Sequence, residues 1–274
     1  MELLRELICK PLAFIERDFR IAASYRLQFI MQGTGVLFTS TLFFMLARMI
    51  GDQKLVALES YGGDYFSFLL IGVAVTDYLS LSTSSFAAEI RSGQTVGTLE
   101  SLLVSPTSIM TILFSSYIYK LLATSFRLLF YFLLGFFVFQ VRFHPGSIAA
   151  LLLAFLLLLL PFVGIGLLSA AFIIVLKQGS PVSFLLNVSS GLLGGAMYPV
   201  AVLPDWLQPV SKILPITHGL EALRQVLLNG AGLGDISGEL SVLAIFSAVL
   251  LAAGVCAIIL AVKIAKKEGS LLHY

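Results

Sequence analysis

Glu89-Ile-Arg-Ser-Gly-Gln-Thr-Val-Gly-Thr-Leu-Glu-Ser-Leu-Leu-Val-Ser-Pro106 is a polar, glycine-bearing stretch set between two long apolar runs. A plain connection there would need only turn residues. Instead Val96, Leu99, Leu102 and Leu103 recur at spacings of three, three and one, which predicts one short helix with an apolar face. Thr95 or Thr98 is placed to cap its start, and Pro106 follows its end. A short amphipathic helix exposed between two membrane runs offers a grip to another protein.

The flanking runs set the class. Of 274 residues, 58% are hydrophobic and only 12% charged, whereas ordinary globular domains carry about 25% charged residues. A bilayer-spanning helix needs about 20 mostly apolar residues, and six runs qualify: 28–50, 64–88, 112–140, 147–176, 182–203 and 239–263. The expected fold is an all-α integral membrane protein with six transmembrane helices, forming a single domain over residues 1–274. Leu151 to Leu160 is nearly all leucine, and Pro161 is expected to kink the fourth run. A net charge of +2 is too small to suggest nucleic-acid binding. Cys9 and Cys256 lie in unlike surroundings, so no disulfide is expected.

Ahead of the first run, Leu12, Ile15, Phe19 and Ala22 fall at helical spacing, with Lys10, Arg17 and Arg20 largely elsewhere. This predicts an amphipathic helix over 11–27 lying at the membrane surface. The charged residues of the first 27 positions argue against a removable leader. With the N-terminus inside, the inner face carries eleven Lys and Arg (5, 10, 17, 20, 26, 91, 120, 177, 263, 266 and 267) and the outer face five (48, 54, 142, 212 and 224). The positive-inside rule therefore predicts a cytoplasmic-membrane protein with both termini, and the 89–106 segment, in the cytoplasm.

Residues 191–230 depart from simple spanning. Pro199, Pro204, Pro209 and Pro215 forbid one continuous helix. Ile216, Leu220, Leu223 and Leu227 nevertheless form an apolar stripe, with Glu221, Arg224 and Gln225 off it, and Trp206 suits the headgroup level. Short re-entrant helices that dip partway into the outer leaflet before the last span fit this pattern, since non-helical backbone at that depth must be satisfied by protein or by a watered cavity.

Two charges lie inside the membrane. Asp77 is midway along the second run and Arg127 midway along the third, at similar depth on antiparallel spans. An isolated charge at that level costs roughly 2.5–3.5 kcal/mol, so the two are expected either to pair or to line an interior cavity separately. Gly191 with Gly195, and Gly164 with Gly166, provide small-residue faces for close helix packing. Asp64 and Glu89 mark span ends, and Lys120 can snorkel.

No phosphate-binding glycine loop, no His-Glu-x-x-His and no Gly-x-Ser-x-Gly occurs, and His144, His218 and His273 are scattered. No catalytic residue, metal ligand or cofactor is therefore expected in this chain. Asn187-Val-Ser matches a glycosylation acceptor but lies within a span, and it is read as accidental.

Two separated motifs carry a resemblance. Gly97-Thr-Leu-Glu-Ser-Leu-Leu-Val-Ser-Pro106, preceded by Glu89 and Arg91, resembles the cytoplasmic coupling segment of type-2 ABC exporter permeases. Tyr198-Pro199, Leu203-Pro-Asp-Trp-Leu207 and Pro215-Ile-Thr-His-Gly-Leu-Glu-Ala-Leu-Arg224 resemble the signature of the same family near its fifth span, closer to the drug and lipid-linked oligosaccharide branch. The resemblance implies a permease subunit, itself no enzyme. It would work as a homodimer in membrane lipid with a separate ATP-binding cassette ATPase that binds ATP and Mg. It also implies that Leu99, Leu102 and Leu103 are the apolar grip on that ATPase, with Glu89, Arg91, Thr98, Glu100 and Pro106 around them. The element bearing Pro199, Pro204, Trp206, Pro215, Glu221 and Arg224 would then close the outer side of the path. The competing expectation is an ion- or proton-coupled secondary transporter using Asp77 and Arg127, which would have no need of the amphipathic 89–106 helix. An intramembrane enzyme lacks any nucleophile–base or metal constellation in the sequence.

Overall fold

The computed structural model describes residues 10–50, 58, 61, 64–95, 109–141, 143–144, 146–176 and 181–268. Those residues form helices α1 (Lys10–Ser24), α2 (Arg26–Ile50), α3 (Tyr65–Thr95), α4 (Ile109–Phe137), α5 (Ile148–Leu176), α6 (Pro181–Leu193), α7 (Gln208–Lys212), α8 (Pro215–Leu228) and α9 (Ser237–Glu268), with a 3-10 turn at Val200–Val202. Five of them, α2, α3, α4, α5 and α9, are long and apolar enough to cross a bilayer. Among the described residues there is no strand.

A helix covers Lys10–Ser24 of the amphipathic 11–27 stretch and packs on α4. Asp64 starts α3 by accepting the Phe66 and Ser67 amides at 3.2 Å each, as an N-cap carboxylate does. α3 then runs 31 residues to Thr95, well past the expected end at 88. Glu89 and Arg91 therefore belong to the end of this span and not to a separate short helix. The Thr95 hydroxyl donates back to the Arg91 and Ser92 carbonyls of its own helix. The rest of the 89–106 segment, with Thr98, Leu99, Glu100, Leu102, Leu103 and Pro106, lies outside the described residues.

The largest departure from the sequence reading is the run 182–203. Instead of a full span, α6 stops at Leu193 after 13 residues, about 20 Å of helix against a hydrocarbon core of about 30 Å. The stop is made by two adjacent glycines. Gly195 takes φ +76°, a left-handed conformation in which a side chain would be strained. Tyr198 and Ser211 donate their hydroxyls to the orphaned Leu192 and Leu193 carbonyls. Gly195 is thus a turn residue and not half of a packing motif.

α3 is the most enclosed span and touches α2, α4, α5, α6 and α8. One core cluster joins it to α5, α8 and the start of α9 through Ile71, Leu158, Phe162, Ile216, Leu220 and Leu243. A second lies toward the other end and contains Phe86, Leu113, Leu167 and Ile258. α5 continues through Pro161 as one helix. Gly164 and Gly166 do allow close packing: a Cβ on Gly164 would lie 2.4 Å from the Leu250 backbone, and one on Gly166 would lie 2.1 Å from the Ser82 carbonyl. Gly191 has open space around it among the described residues.

Candidate functional site

Three polar assemblies sit along α3, one at each end and one in the middle. At the end near α1, Glu89 is a joint between three helices. Its carboxylate lies 3.5 Å from Lys120 Nζ on α4 and 3.9 Å from Arg17 Nη2 on α1. Arg17 also holds Asp18 at 2.7 Å. Glu89, expected beside the partner grip, ties α1 and α4 to α3. Arg91, two residues on, is exposed.

In the middle, Asp77 and Arg127 meet. Arg127 Nη2 lies 3.0 Å from Asp77 Oδ2, with about a third of each side chain exposed. Of the two arrangements expected, the paired one is observed. The reason is geometric: two mid-span positions on adjacent antiparallel helices fall at one level, and each charge lowers the other's cost of leaving water.

The third assembly surrounds Arg224, which the residue pattern placed off the apolar stripe of α8. Its side chain is only 2% exposed. Nη1 donates to the Gly195 carbonyl at 2.8 Å, and Nη2 donates to the Phe68 and Ala196 carbonyls at 3.1 and 3.0 Å. Its guanidinium lies 3.3 Å from the Phe68 ring centroid. The physical logic follows from the α6 stop: a chain that breaks helix inside an apolar environment leaves carbonyls without partners, and a planar guanidinium can satisfy several at once. Gly72 completes the fit, since a Cβ there would fall 2.0 Å from the Ala196 oxygen. Arginine stays charged at neutral pH, so the guanidinium holds this site as a cation. Beside it, Glu221 accepts from Tyr61 at 2.6 Å and Gln225 at 2.8 Å.

The four signature prolines divide by position. Pro199 and Pro215 are buried and Pro204 is exposed; Pro215 opens α8 and Pro209 sits in the first turn of α7, where a missing amide costs nothing. Trp206 is 74% exposed, as an interface anchor would be.

Two features were passed over in the sequence. Asn187, read as an accidental acceptor, is the hub of a network: it accepts from Ser80 at 2.8 Å and donates to Thr83 at 3.1 Å. Ser183 joins α6 to Ser169 of α5 at 2.9 Å and to the Thr83 carbonyl at 3.0 Å. A run of Ser and Thr at helical spacing on α3 was the available signal. The other is His218 on α8. Its Nδ1 lies 2.5 Å from Glu239 Oε2 at the start of α9, and its Nε2 lies 2.9 Å from the Lys212 carbonyl at the end of α7. The Lys212 carbonyl accepts from Nε2, and a Glu239 carboxylate accepting from Nδ1 favours the charged imidazolium.

The hydrogen bond to Glu239 raises the His218 pKa above its ordinary value, against burial, which lowers it. A cation favoured in the folded state contributes stability that is full below the unfolded value and is lost as pH rises through the folded one. The protein is therefore expected to lose about 1 kcal/mol when pH is raised from about 6 to well above neutrality. In His218→Gln that part of the pH dependence should vanish. Melting midpoints of both proteins across this range measure it, and parallel curves would refute the assignment.

Residues 13–228, from α1 through α8, match the sequence profile described as ABC-2 type transporter. The chain belongs to the ABC-2 type transporter family. As a member of that family it is a transmembrane permease subunit and not an enzyme. It is 31% identical over 113 residues to the linearmycin resistance permease protein LnrN of Bacillus subtilis, covering 41% of this chain and 29% of that one. It is 29% identical over 179 residues to the probable multidrug ABC transporter permease YbhR of Escherichia coli, covering 65% of this chain and 48% of that one. Nodulation protein J of Sinorhizobium fredii shares 40% identity over 55 residues, 20% of this chain and 21% of that one. The matched region spans less than half the length of each of these relatives. Within the ABC-2 permease, the family match takes in both motifs and all three polar assemblies on α3.

Proposed function

We propose that this chain is the permease of an ATP-driven exporter that moves a hydrophobic or amphipathic molecule, such as a drug, a lipid or a lipid-linked glycan, outward across the cytoplasmic membrane. The observation that carries the reading is the ABC-2 family match over residues 13–228, which contains the 89–106 segment and the α8 signature in order. Family membership implies an ATP-binding cassette partner, which would hold the ATP and Mg. Residues 1–274 act as one domain, with the α1 end of α3 and the end of α9 on the cytoplasmic side.

In this reading Leu99, Leu102 and Leu103 seat in the ATPase, with Arg91, Thr98, Glu100 and Pro106 at the edge of the contact. Movement of that segment passes directly into α3, whose end lies at Thr95, and through Glu89 to α1 and α4. The short α6 together with the turn at 194–199 serves as the sixth crossing. The α7–α8 element, fastened by Arg224 and bearing Pro199, Pro204, Trp206, Pro215 and Glu221, closes the outer side. Phe184, Leu185, Val188 and Leu192 leave an exposed apolar face on α6, which suits a second copy in a homodimer. The Ser80–Asn187 network beside that face supplies polar contacts to the path.

Co-purification in mild detergent tests the reading. Wild type is expected to bring down an ATP-hydrolysing protein, and Leu102→Asp is expected to release it while the permease keeps its melting midpoint. Placing a charge in an apolar contact costs several kcal/mol, enough to reduce recovery more than about a hundredfold. Transport that survives ATP depletion and stops when the proton gradient collapses would favour a secondary transporter instead.

A further inference from the structure

A cleft of about 660 Å³ lies between α1, α2 and α4. Phe19 of α1, Val36 of α2 and Leu122, Phe126 and Phe130 of α4 make its apolar wall. Its volume falls within the range of sites for drug-sized molecules, about 300–1,000 Å³. Along α2 the wall is unfilled: a Cβ on Gly33 would meet nothing within 4 Å among the described residues. The apolar wall offers water none of the two to four polar partners it needs, so an apolar chain from the surrounding bilayer suits that wall.

The polar groups are not scattered. Tyr119, Gln32 and Arg127 all line the cleft. Tyr119 and Arg127 stand eight residues apart on one helix, about 12 Å along its axis. Arg127 is tied to Asp77 through Nη2, its Nε is buried without a hydrogen-bond partner among the described residues, and its side chain is 34% exposed, so the guanidinium's remaining terminal donors are the ones that can face the cleft. A guanidinium has five N–H donors, and in an apolar cleft they call for an oxygen acceptor.

We infer that this cleft binds a single-chain amphiphile with a polar head near Tyr119 and Gln32 and a second oxygen acceptor, a hydroxyl or carbonyl, partway along its chain against Arg127. An ordinary saturated lipid tail fills the space but leaves the guanidinium unanswered. The site deepens the exporter reading by defining the cargo's chemistry, and it rests on that reading only for the molecule's being cargo. Binding stands or falls separately.

The test uses the full chain in nanodiscs, without any ATPase, and a diazirine-bearing stearate as photoprobe. Labelling is expected in the peptides carrying residues 119–130 and 32–36. 12-Hydroxystearate is expected to compete about tenfold better than stearate, the worth of one hydrogen bond to a charged group. Two variants fill the cleft from opposite walls, Ala123→Trp and Gly33→Leu, and both should abolish the labelling with melting midpoints unchanged. Arg127→Lys, which keeps a charge for Asp77 but loses the fork of donors, should erase the preference for the hydroxylated acid while labelling persists. Labelling that is undiminished in both filled variants, or equal competition by the two acids in wild type, overturns the inference. Binding as described in a chain that recruits no ATPase would overturn the exporter reading and leave the site standing.

Discussion

Arg224→Met is expected to lower stability by about 3–5 kcal/mol, as when one member of a buried charged network is removed. The substitution keeps much of the side-chain volume, so the loss comes from hydrogen bonding and not from a cavity. Three carbonyls, those of Phe68, Gly195 and Ala196, lose their donor together, and none can turn to water without opening the contact between α3 and the 194–196 turn. The stacking of the guanidinium on Phe68 is lost as well. Arg224→Lys should recover less than half of the deficit, because one ammonium at the end of a flexible stem cannot face three carbonyls as a planar fork does. The melting midpoint of the detergent-solubilised protein should fall by about 10 °C for Met. A shift under about 2 °C would show that the turn is held by something other than this side chain.

Gly164→Val is expected to be nearly as damaging, at about 2–4 kcal/mol, near or above the upper end for overpacking. α5 and α9 form the most extensive helix contact in the protein, and they approach backbone to backbone. A Cβ at Gly164 would lie 2.4 Å from the Leu250 carbonyl carbon and oxygen, and one at Gly254 would lie 2.5 Å from the Gly164 oxygen. Backbone cannot rotate away as a side-chain tip can, so the helices must part along their length, and dispersion contacts fall off steeply with separation. Gly191→Ala provides the comparison. With nothing near its Cβ position, it should be neutral or gain the helix propensity of alanine, about 1 kcal/mol. If Gly164→Val unfolds at the wild-type midpoint, the close approach of α5 and α9 is refuted.

Much of this architecture is local and was readable from the residues. Apolar run length places α2, α3, α4, α5 and α9, because a span must satisfy its own backbone whatever surrounds it. The amphipathic period of 11–27 yields α1, and proline spacing yields the breaks around α7 and α8. The Asp77–Arg127 level was legible too, since depth along an apolar run is a matter of counting. Its partnership was left open because facing depends on helix rotation, which counting does not supply.

What the tertiary structure alone decided concerns groups whose partners are distant in sequence. Apolar composition carries on past Leu193, yet α6 ends there, because Gly195 turns the chain and Tyr198, Ser211 and Arg224 stand ready to take its freed carbonyls. The sequence places Arg224 off the apolar stripe of its helix, and only the neighbouring turn shows what its guanidinium holds. The ion pairs of Glu89 with Arg17 and Lys120 are likewise invisible until α1 and α4 pack beside α3. Hydrophobicity is a property of each segment and is written along the chain. Hydrogen-bond satisfaction inside a membrane is a property of pairs, and only packing reveals which pairs meet.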